Sequence, residues 1–260
     1  MMVPLHSPPP AFASVFKPLA GSLVLLWAAG SPVPAHAYRP FDGTDAAVVA
    51  PGEFELEAGA ARQREGASRS LSLPAAVANI GIAGDSEIVI EGRWMRLQEP
   101  GPGAAARNLL GDTALSIKHV WRKGVLQDAE GPSIATECGV LLPEVHGDPG
   151  TGYSCAGIAS SRIDPLTLHV NLALGRTRRG TQARDLGLIT EGPEMRAVRP
   201  VAEVLFDRDS DGGRSHSILL GAIYRCREDV AFDAGVRSGR SRDAHLNELR
   251  IGFTWSVPAR

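Results

Sequence analysis

The chain has 260 residues, a formal net charge of −2 and an aromatic content of only 5%. Its length allows one large β domain or two small ones, and its near-neutral charge gives no sign of a nucleic-acid partner. So few aromatic residues are unusual for a large core, and also for a membrane barrel with aromatic girdles.

The first predicted element is an export signal. Lys17 precedes an apolar run from Leu19 to Ala29, and Ala35-His36-Ala37 has the small-x-small pattern that signal peptidases cut. The run is too short to span a bilayer as a stable helix, and no run of about eighteen apolar residues follows it. We therefore predict a signal peptide over residues 1–37 and a mature chain that starts near Tyr38.

Alternation with a period of two dominates the rest of the chain. Successive side chains on a strand point to opposite faces, so each alternating segment has one apolar face and one polar face. Residues 38–52 are predicted as a lead-in segment, and 258–260 as a C-terminal overhang. Nine strands are predicted at Glu53–Arg62, Leu71–Asn79, Ser86–Leu97, Asp112–Arg122, Pro132–Leu142, Tyr153–Arg162, Leu166–Arg176, Arg184–Glu191 and Arg199–Asp207, and three more between Ser215 and Val257.

The last three strands show the pattern most clearly. In the first of them, Ile218, Leu220 and Tyr224 share one face, while the opposite faces of all three hold Gly, Ser, Asp and Arg. Such a polar face does not suit the centre of a water-soluble core. The apolar face must either pack on a second sheet or meet lipid on the outside of a closed barrel.

The connections between strands favour the barrel. If both termini lie on the periplasmic side, odd-to-even loops are extracellular and should be longer. Gln98–Gly111, Pro143–Gly152 and Gly239–His245 are odd-to-even connections, whereas the even-to-odd Ile163–Pro165 and Arg227–Asp229 are short. With an even strand number, this trend predicts an all-β fold, an antiparallel up-and-down transmembrane β-barrel of about 12 strands over residues 53–257.

The three cysteines leave two alternatives open. Cys138 and Cys155 flank the loop Glu144–Gly152 and could pair across one hairpin in an exported chain. An odd count leaves at least one cysteine over, here Cys226. The favoured alternative is that all three are small apolar residues on strands.

Several segments together resemble one family of bacterial proteins. They are Gly111-Asp112 with Ile117-Lys118-His119, Pro132-Ser133-Ile134-Ala135, Leu141-Leu142-Pro143, Gly150-Thr151-Gly152-Tyr153, Leu168-His169-Val170-Asn171-Leu172, Val201-Ala202-Glu203-Val204, Ala234-Gly235-Val236-Arg237 and Ile251-Gly252-Phe253-Thr254-Trp255. In order and composition they resemble the MetA-pathway of phenol degradation family of outer-membrane β-barrels, over most of residues 40–257. The resemblance implies an outer-membrane channel for small hydrophobic or aromatic compounds. The few aromatic residues and the ending Pro258-Ala259-Arg260 depart from the pattern.

Charged and polar residues on the polar strand faces are the candidate site. In a barrel these faces line the lumen, where charges either set the selectivity of a pore or form a plugging salt-bridge network. The candidate lumen-lining residues are Lys118, Arg122, Glu137, His169, Asn171, Glu203, Asp233, Arg237 and Arg250.

Other kinds of site have weak signals. Asp207–Gly212 copies the first half of an EF-hand calcium loop, but the twelfth position is Ile218 and a strand follows, so a polar loop is favoured. The chain has no G-x-S-x-G motif, and Ser215-His216-Ser217 lies at a loop-to-strand boundary. We predict no catalytic residue, no metal site and no cofactor.

Three functional hypotheses follow. The first is an outer-membrane barrel that admits small apolar or aromatic solutes by passive diffusion. The second is a plugged structural or binding barrel that acts through its extracellular loops, and the third is a soluble periplasmic β-domain. The expected partners are outer-membrane lipid, a small-molecule solute and the barrel-assembly machinery of a Gram-negative cell.

Overall fold

The computed structural model describes residues 39–101, 105–193 and 197–257, so the predicted signal peptide and C-terminal overhang lie outside the described residues. Twelve strands form the fold: β1 Phe54–Glu65, β2 Ser68–Ile82, β3 Ser86–Gln98, β4 Arg107–Arg122, β5 Ser133–Leu141, β6 Gly152–Ile163, β7 Leu166–Arg176, β8 Gln182–Glu191, β9 Val198–Asp209, β10 Arg214–Arg227, β11 Val230–Ser241 and β12 Ala244–Val257. A short 3-10 helix, Val125–Gln127, lies between β4 and β5. Within the described residues, no helix is long and apolar enough to cross a membrane.

The twelve strands form one closed antiparallel barrel. Each strand pairs with its neighbours in the chain, and β1 closes the barrel on β12, from Phe54 opposite Val257 to Glu65 opposite Leu246. Closure satisfies the backbone hydrogen bonds of the first and last strands, so neither is left as an edge. The predicted all-β, twelve-stranded, up-and-down barrel is confirmed.

The barrel is polar inside and apolar outside. Along β7, Leu172 and Leu174 are exposed on the outer face, while His169 and Asn171 are buried on the inner face. The same alternation runs through β11, where Val236 points outward and Arg237 inward. A sandwich would bring the apolar faces of two sheets together, but here they surround the molecule.

The connections fall at two ends of the barrel. We call the end at which β1 begins and β12 finishes the termini end, and the other the distal end. Each end has connections from two residues (164–165 and 242–243) to ten residues (123–132 and 142–151), so the predicted contrast in loop length is wrong. One reason is that the predicted loop Gly239–His245 is mostly strand, because β11 continues to Ser241 and β12 begins at Ala244.

Two cysteines form a disulfide on the outer face. Cys138 of β5 and Cys155 of β6 lie directly opposite each other, with Cα atoms 4.0 Å apart, and their sulfur atoms are bonded. The favoured interpretation of these two as free apolar residues is therefore wrong. Cys226, near the end of β10, is a free and exposed thiol.

Candidate functional site

The chain before β1 lies inside the barrel. Residues 39–52, predicted as a lead-in, are here called the inner segment, and their contacts follow the wall strand by strand. Arg39 contacts β12, Phe41 packs on β9 to β11, Thr44 bonds to β7, Ala46 packs on β4 to β6, and Val49 bonds to β3. The last residues of the segment bond to β2 before the chain enters β1. The inner segment therefore makes a circuit of the lumen.

An ion cluster inside the barrel, built on buried Glu203, Arg237 and Arg250, holds the first half of the inner segment. The Asp42 carboxylate lies 2.8 Å from Arg250 and 3.1 Å from Arg237, and Arg237 donates to Glu203 at 2.5 Å. Glu203 also accepts hydrogen bonds from the backbone N–H groups of Asp42 at 3.2 Å and Gly43 at 2.8 Å. Burial raises the pKa of Asp42, but the guanidinium groups of Arg250 and Arg237 lower it more, so the net shift is downward.

A second cluster forms around Lys118. Its Nζ donates to the Thr44 hydroxyl at 3.1 Å and lies 3.6 Å from Asp45 and 3.7 Å from Glu87. Glu87 in turn accepts the backbone N–H of Val49 at 2.7 Å. The lysine side chain is fully buried, so these oxygens replace the water that its charge would otherwise require.

Further polar contacts hold the start and the middle of the inner segment. Arg39 lies 3.4 Å from Asp233, and its backbone N–H donates to Glu57 at 3.2 Å. Asn171 exchanges two hydrogen bonds with the backbone of Thr44, at 3.0 and 2.8 Å. The contacts with Asp233 and Asn171 join the inner segment to strands distant in sequence, so the segment is held by the assembled wall.

Three inner-face residues lie in a row, with one hydrogen bond and one longer polar contact between them. His169 Nδ1 lies 2.8 Å from the Ser160 hydroxyl, and its Nε2 lies 3.4 Å from Glu191. The order serine, histidine, carboxylate is that of a hydrolase triad. Here, however, the Ser160 oxygen is buried and accepts the backbone N–H of Ala46 at 2.9 Å. In this arrangement the three side chains act to hold the inner segment.

Two apolar contacts complete the attachment. Phe41 packs against Val201, Ile223 and Ala231 on three neighbouring strands. Ala46 is completely buried in a second group, with residues of β4, β5 and β6 around it. The inner segment is thus fixed by apolar packing as well as by charge.

The structure places most of the predicted site residues against the inner segment. Six of them contact it directly, and His169 reaches it through Ser160. The six direct contacts come from Lys118, Asn171, Glu203, Asp233, Arg237 and Arg250.

The other two predicted residues lie elsewhere. Glu137 is half-buried and faces a cavity beside the inner segment. Arg122 is exposed at the termini end, close to Gly131. The pairing of β4 with β5 shifts register between Val120 and Arg122, and this irregularity breaks the alternation on which the prediction of a lumen position depended.

The cavity has a volume of about 170 Å³, and both apolar and charged residues line it. Phe41, Val77 and Val89 are among the apolar ones. Arg93 and Asp112, which pair at 2.8 Å, and Glu137 are among the charged ones. The space left beside the inner segment therefore suits a small molecule with an apolar body and a polar group.

The weaker sequence signals do not form sites. Asp207 and Asp209 belong to β9, where Asp207 accepts a hydrogen bond from Ser215 at 2.5 Å, while Asp211 pairs with Arg242 at 3.6 Å. Within the described ranges, no group of three or more His, Cys, Asp or Glu is arranged to hold a metal.

Close packing at Gly81 gives a first testable prediction. A Cβ at Gly81 would lie 1.9 Å from the Ala50 carbonyl oxygen, and this backbone atom cannot move without pulling on the inner segment. We expect Gly81→Ala to destabilise the barrel by about 1–3 kcal/mol, as overpacking of a tight site does. The measurement is the temperature at which the fast-migrating folded band is lost on SDS gels.

The matched control for Gly81→Ala is Gly157→Ala. Gly157 is also a strand glycine, but nothing lies within 4 Å of the Cβ that alanine would add. Its folded band should survive to the wild-type temperature. If both variants lose the folded band at the same temperature, the close packing of Gly81 against the inner segment does not stabilise the barrel.

Comparison with known proteins supports the fold alone. No protein-family profile and no curated protein matches the chain. Among solved structures, it is similar to an outer-membrane channel from Pseudomonas putida F1, with 6% identity, a TM-score of 0.65 and coverage of 84% of this chain and 100% of that chain. The NanC porin has 7% identity, a TM-score of 0.56 and coverage of 77% and 98%. The KdgM porin, solved in complex with disordered oligogalacturonate, has 13% identity, a TM-score of 0.51 and coverage of 78% and 99%. The chain thus has the fold of outer-membrane porin-like barrels.

Proposed function

We propose that this protein is an outer-membrane channel whose lumen is closed by its own inner segment. The proposal depends on how that segment is attached to the wall. It adds no strand to the barrel and is held by side-chain pairs such as Asp42 with Arg237 and Lys118 with Asp45. The wall is complete without the segment, because β1 pairs with β12 along its whole length. The segment can therefore leave while the barrel stays closed.

The outer surface supports a position in a membrane. Exposed aromatic residues lie near both ends of its apolar face, with Trp121, Tyr224 and Trp255 at the termini end and Trp94 and Phe206 towards the distal end. Interfacial aromatic residues flank the apolar band of membrane barrels. The small number of aromatic residues in the chain is thus concentrated where a membrane barrel needs them.

The height of the apolar band also supports this position. Along β7 the outward apolar residues run from Leu166 to Leu174, which corresponds to roughly 26 Å at about 3.3 Å per residue. A strand tilt of about 40° reduces this to roughly 20 Å, near the height of about 25 Å of the apolar band of outer-membrane barrels. A soluble β-domain would have to leave this whole band in contact with water.

The proposed solutes are small molecules with an apolar body and a polar group. The cavity beside the inner segment is lined by apolar residues such as Val77 and Val89 and by charged residues such as Arg93 and Glu137. Simple aromatic compounds belong to this class, in agreement with the solutes that the family resemblance implies. We also propose that the chain belongs to the MetA-pathway of phenol degradation family, because its sequence motifs resemble those of that family. The transport is passive and uses no cofactor, and insertion would require the barrel-assembly machinery.

A permanently plugged barrel is the second candidate. The observation that favours it is the number of buried charges committed to the inner segment, among them Glu203, Arg237 and Lys118. A barrel of this kind would act through its loops and would show no conductance under any condition. The two candidates differ in whether the lumen opens: the channel conducts when it does, and the plugged barrel never conducts.

The test is fractionation followed by planar-bilayer recording. We expect the protein in the outer membrane, with a band whose SDS gel mobility changes on boiling, and with brief openings of small conductance. Recovery as a soluble periplasmic protein would contradict the membrane proposal. A heat-modifiable barrel that never opens would favour the plugged barrel.

A further inference from the structure

Arginine side chains form a belt on the outer face of the distal end. Nine arginines lie at outward positions of the strands there, all of them exposed. They continue around nine neighbouring strands, from β7 through β12 and β1 to β3, with His245 at the β12 position. The belt consists of Arg62, Arg64, Arg69, Arg96, Arg176, Arg184, Arg208, Arg214 and Arg240.

Several belt arginines face each other directly. Arg208 lies opposite Arg184 on β8 and opposite Arg214 on β10, and Arg64 lies opposite Arg69. Like charges directly opposite on neighbouring strands destabilise a sheet. No carboxylate of the described residues forms a salt bridge with any of the nine guanidinium groups. The fold therefore places repelling cations side by side without a counter-charge.

The carboxylates of the described strands are all on the other face. By strand register, residues such as Glu65, Asp185, Asp207 and Glu248 point into the lumen. The chain thus separates its charges, with acids inside and the belt outside. The carboxylates Glu99, Asp211 and Asp243 lie in the connections at the distal end, but they form no salt bridge with the belt, and Asp211 pairs with Arg242. The belt is therefore free to bind anions from the surroundings of the barrel.

The belt lies at the boundary of the apolar outer band. Arg208 follows Phe206 on the same face of β9, and Arg96 follows Trp94 on β3. In a bilayer this is the depth of the lipid headgroups. Guanidinium groups bind phosphate in a bidentate manner, and two adjacent arginines can share one phosphate.

We propose that the belt binds the phosphate groups of anionic lipids in the leaflet around the distal end. This inference rests on the proposed membrane position, but not on whether the lumen opens. With the termini end in the periplasm, the leaflet concerned is the outer one. Bound headgroups would supply the missing counter-charge and fix the depth of the barrel in the bilayer.

The test uses a variant in which the row of three facing arginines is neutralised, Arg184→Gln/Arg208→Gln/Arg214→Gln. Folded barrel in a neutral detergent is titrated with dimyristoylphosphatidylglycerol, and the temperature at which the folded SDS gel band is lost is followed. We expect the lipid to raise this temperature for the wild type. The lipid concentration for half-maximal protection should rise on the order of a hundredfold in the variant, because each arginine near a surface contributes about fivefold to binding of anionic lipid.

Two control variants separate charge from other effects. Replacement of the same three arginines by lysine keeps the charge, and we expect most of the protection to remain. Gln182→Ala/Asn247→Ala changes exposed outward residues at the same level without altering the belt, and should titrate like the wild type. Without lipid, the glutamine variant should be at least as stable as the wild type, because opposed like charges have been removed.

Two control ligands identify the source of the phosphate. Dimyristoylphosphatidylcholine has the same acyl chains without net charge and should protect little, and sodium phosphate should not protect at all. Equal protection of the wild type and the glutamine variant by the anionic lipid would overturn the proposal, as would equal protection by free phosphate. A wild-type protein that gives no heat-modifiable band would instead mean that the membrane proposal itself has failed.

Discussion

Removal of the inner segment is expected to convert a closed barrel into an open channel. A variant that lacks residues 39–50 loses the chain that contacts the wall from β12 round to β3. The lumen left behind is lined by charged side chains, which water can solvate once the segment is gone. We expect a severalfold higher single-channel conductance in planar bilayers, with openings that persist rather than flicker.

Fixing the segment in place should have the opposite effect. A Cβ at Gly43 would lie 3.2 Å from the Asn171 side chain, so the pair Gly43→Cys/Asn171→Cys is a suitable crosslink between the inner segment and β7. The oxidised variant should be silent, and reduction should restore the wild-type openings. The wild type under the same reductant controls for the native disulfide between Cys138 and Cys155. A deletion variant that folds but conducts no better than the wild type would contradict the gating role.

Loss of the Glu203 carboxylate is expected to destabilise the barrel more than Gly81→Ala or Glu137→Ala does. Glu203 is fully buried, and it accepts hydrogen bonds from Arg237 and from the backbone N–H groups of Asp42 and Gly43. Glu203→Ala removes the buried one of the two carboxylates that pair with the buried Arg237 guanidinium, and it leaves two part-buried backbone N–H groups without their acceptor. Breaking a buried pair in this way costs about 3–5 kcal/mol. The folded SDS gel band should therefore disappear at a clearly lower temperature.

Two further variants test this explanation for Glu203. Glu137→Ala also removes an inner-face glutamate, but one that borders the cavity, and we expect a loss of less than about 1 kcal/mol because water can reach its surroundings. Glu203→Ala/Arg237→Ala removes both charges and should be less destabilised than the sum of the single variants. Strict additivity would show that the pair does not interact.

The strands could be predicted because alternation is a local property of the sequence. The predicted strand Leu166–Arg176 has the bounds that the structure shows, since a leucine or valine occupies every second position from Leu166 to Leu174. Arg122 was misplaced because a register shift leaves the amino-acid pattern almost unchanged while it changes the direction of the side chain. The predicted loop Gly239–His245 contains few apolar residues, so its strand character depends on pairing rather than on composition.

The role of the inner segment could not be predicted from local patterns. Its contacts join residues far apart in sequence, such as Asp42 with Glu203 and Arg39 with Ile251. One signal was nevertheless available once strand register is known. Glu203 lies opposite Ile189 on β8 and opposite Leu219 on β10, so its neighbours on both adjacent strands are apolar, and its partner Arg237 is two strands away on β11. A buried charge between apolar neighbours must be satisfied by groups that reach it across the lumen.

The circuit that the inner segment makes of the wall has a consequence for assembly. A segment that bonds to β12 near its start and to β2 near its end cannot find its contacts before the strands between them are in place. Its docking is therefore expected to be a late step of biogenesis, after the seam between β1 and β12 has formed. A newly inserted barrel would then be leaky for a short time, and the cell would be exposed to that leak each time a copy is made.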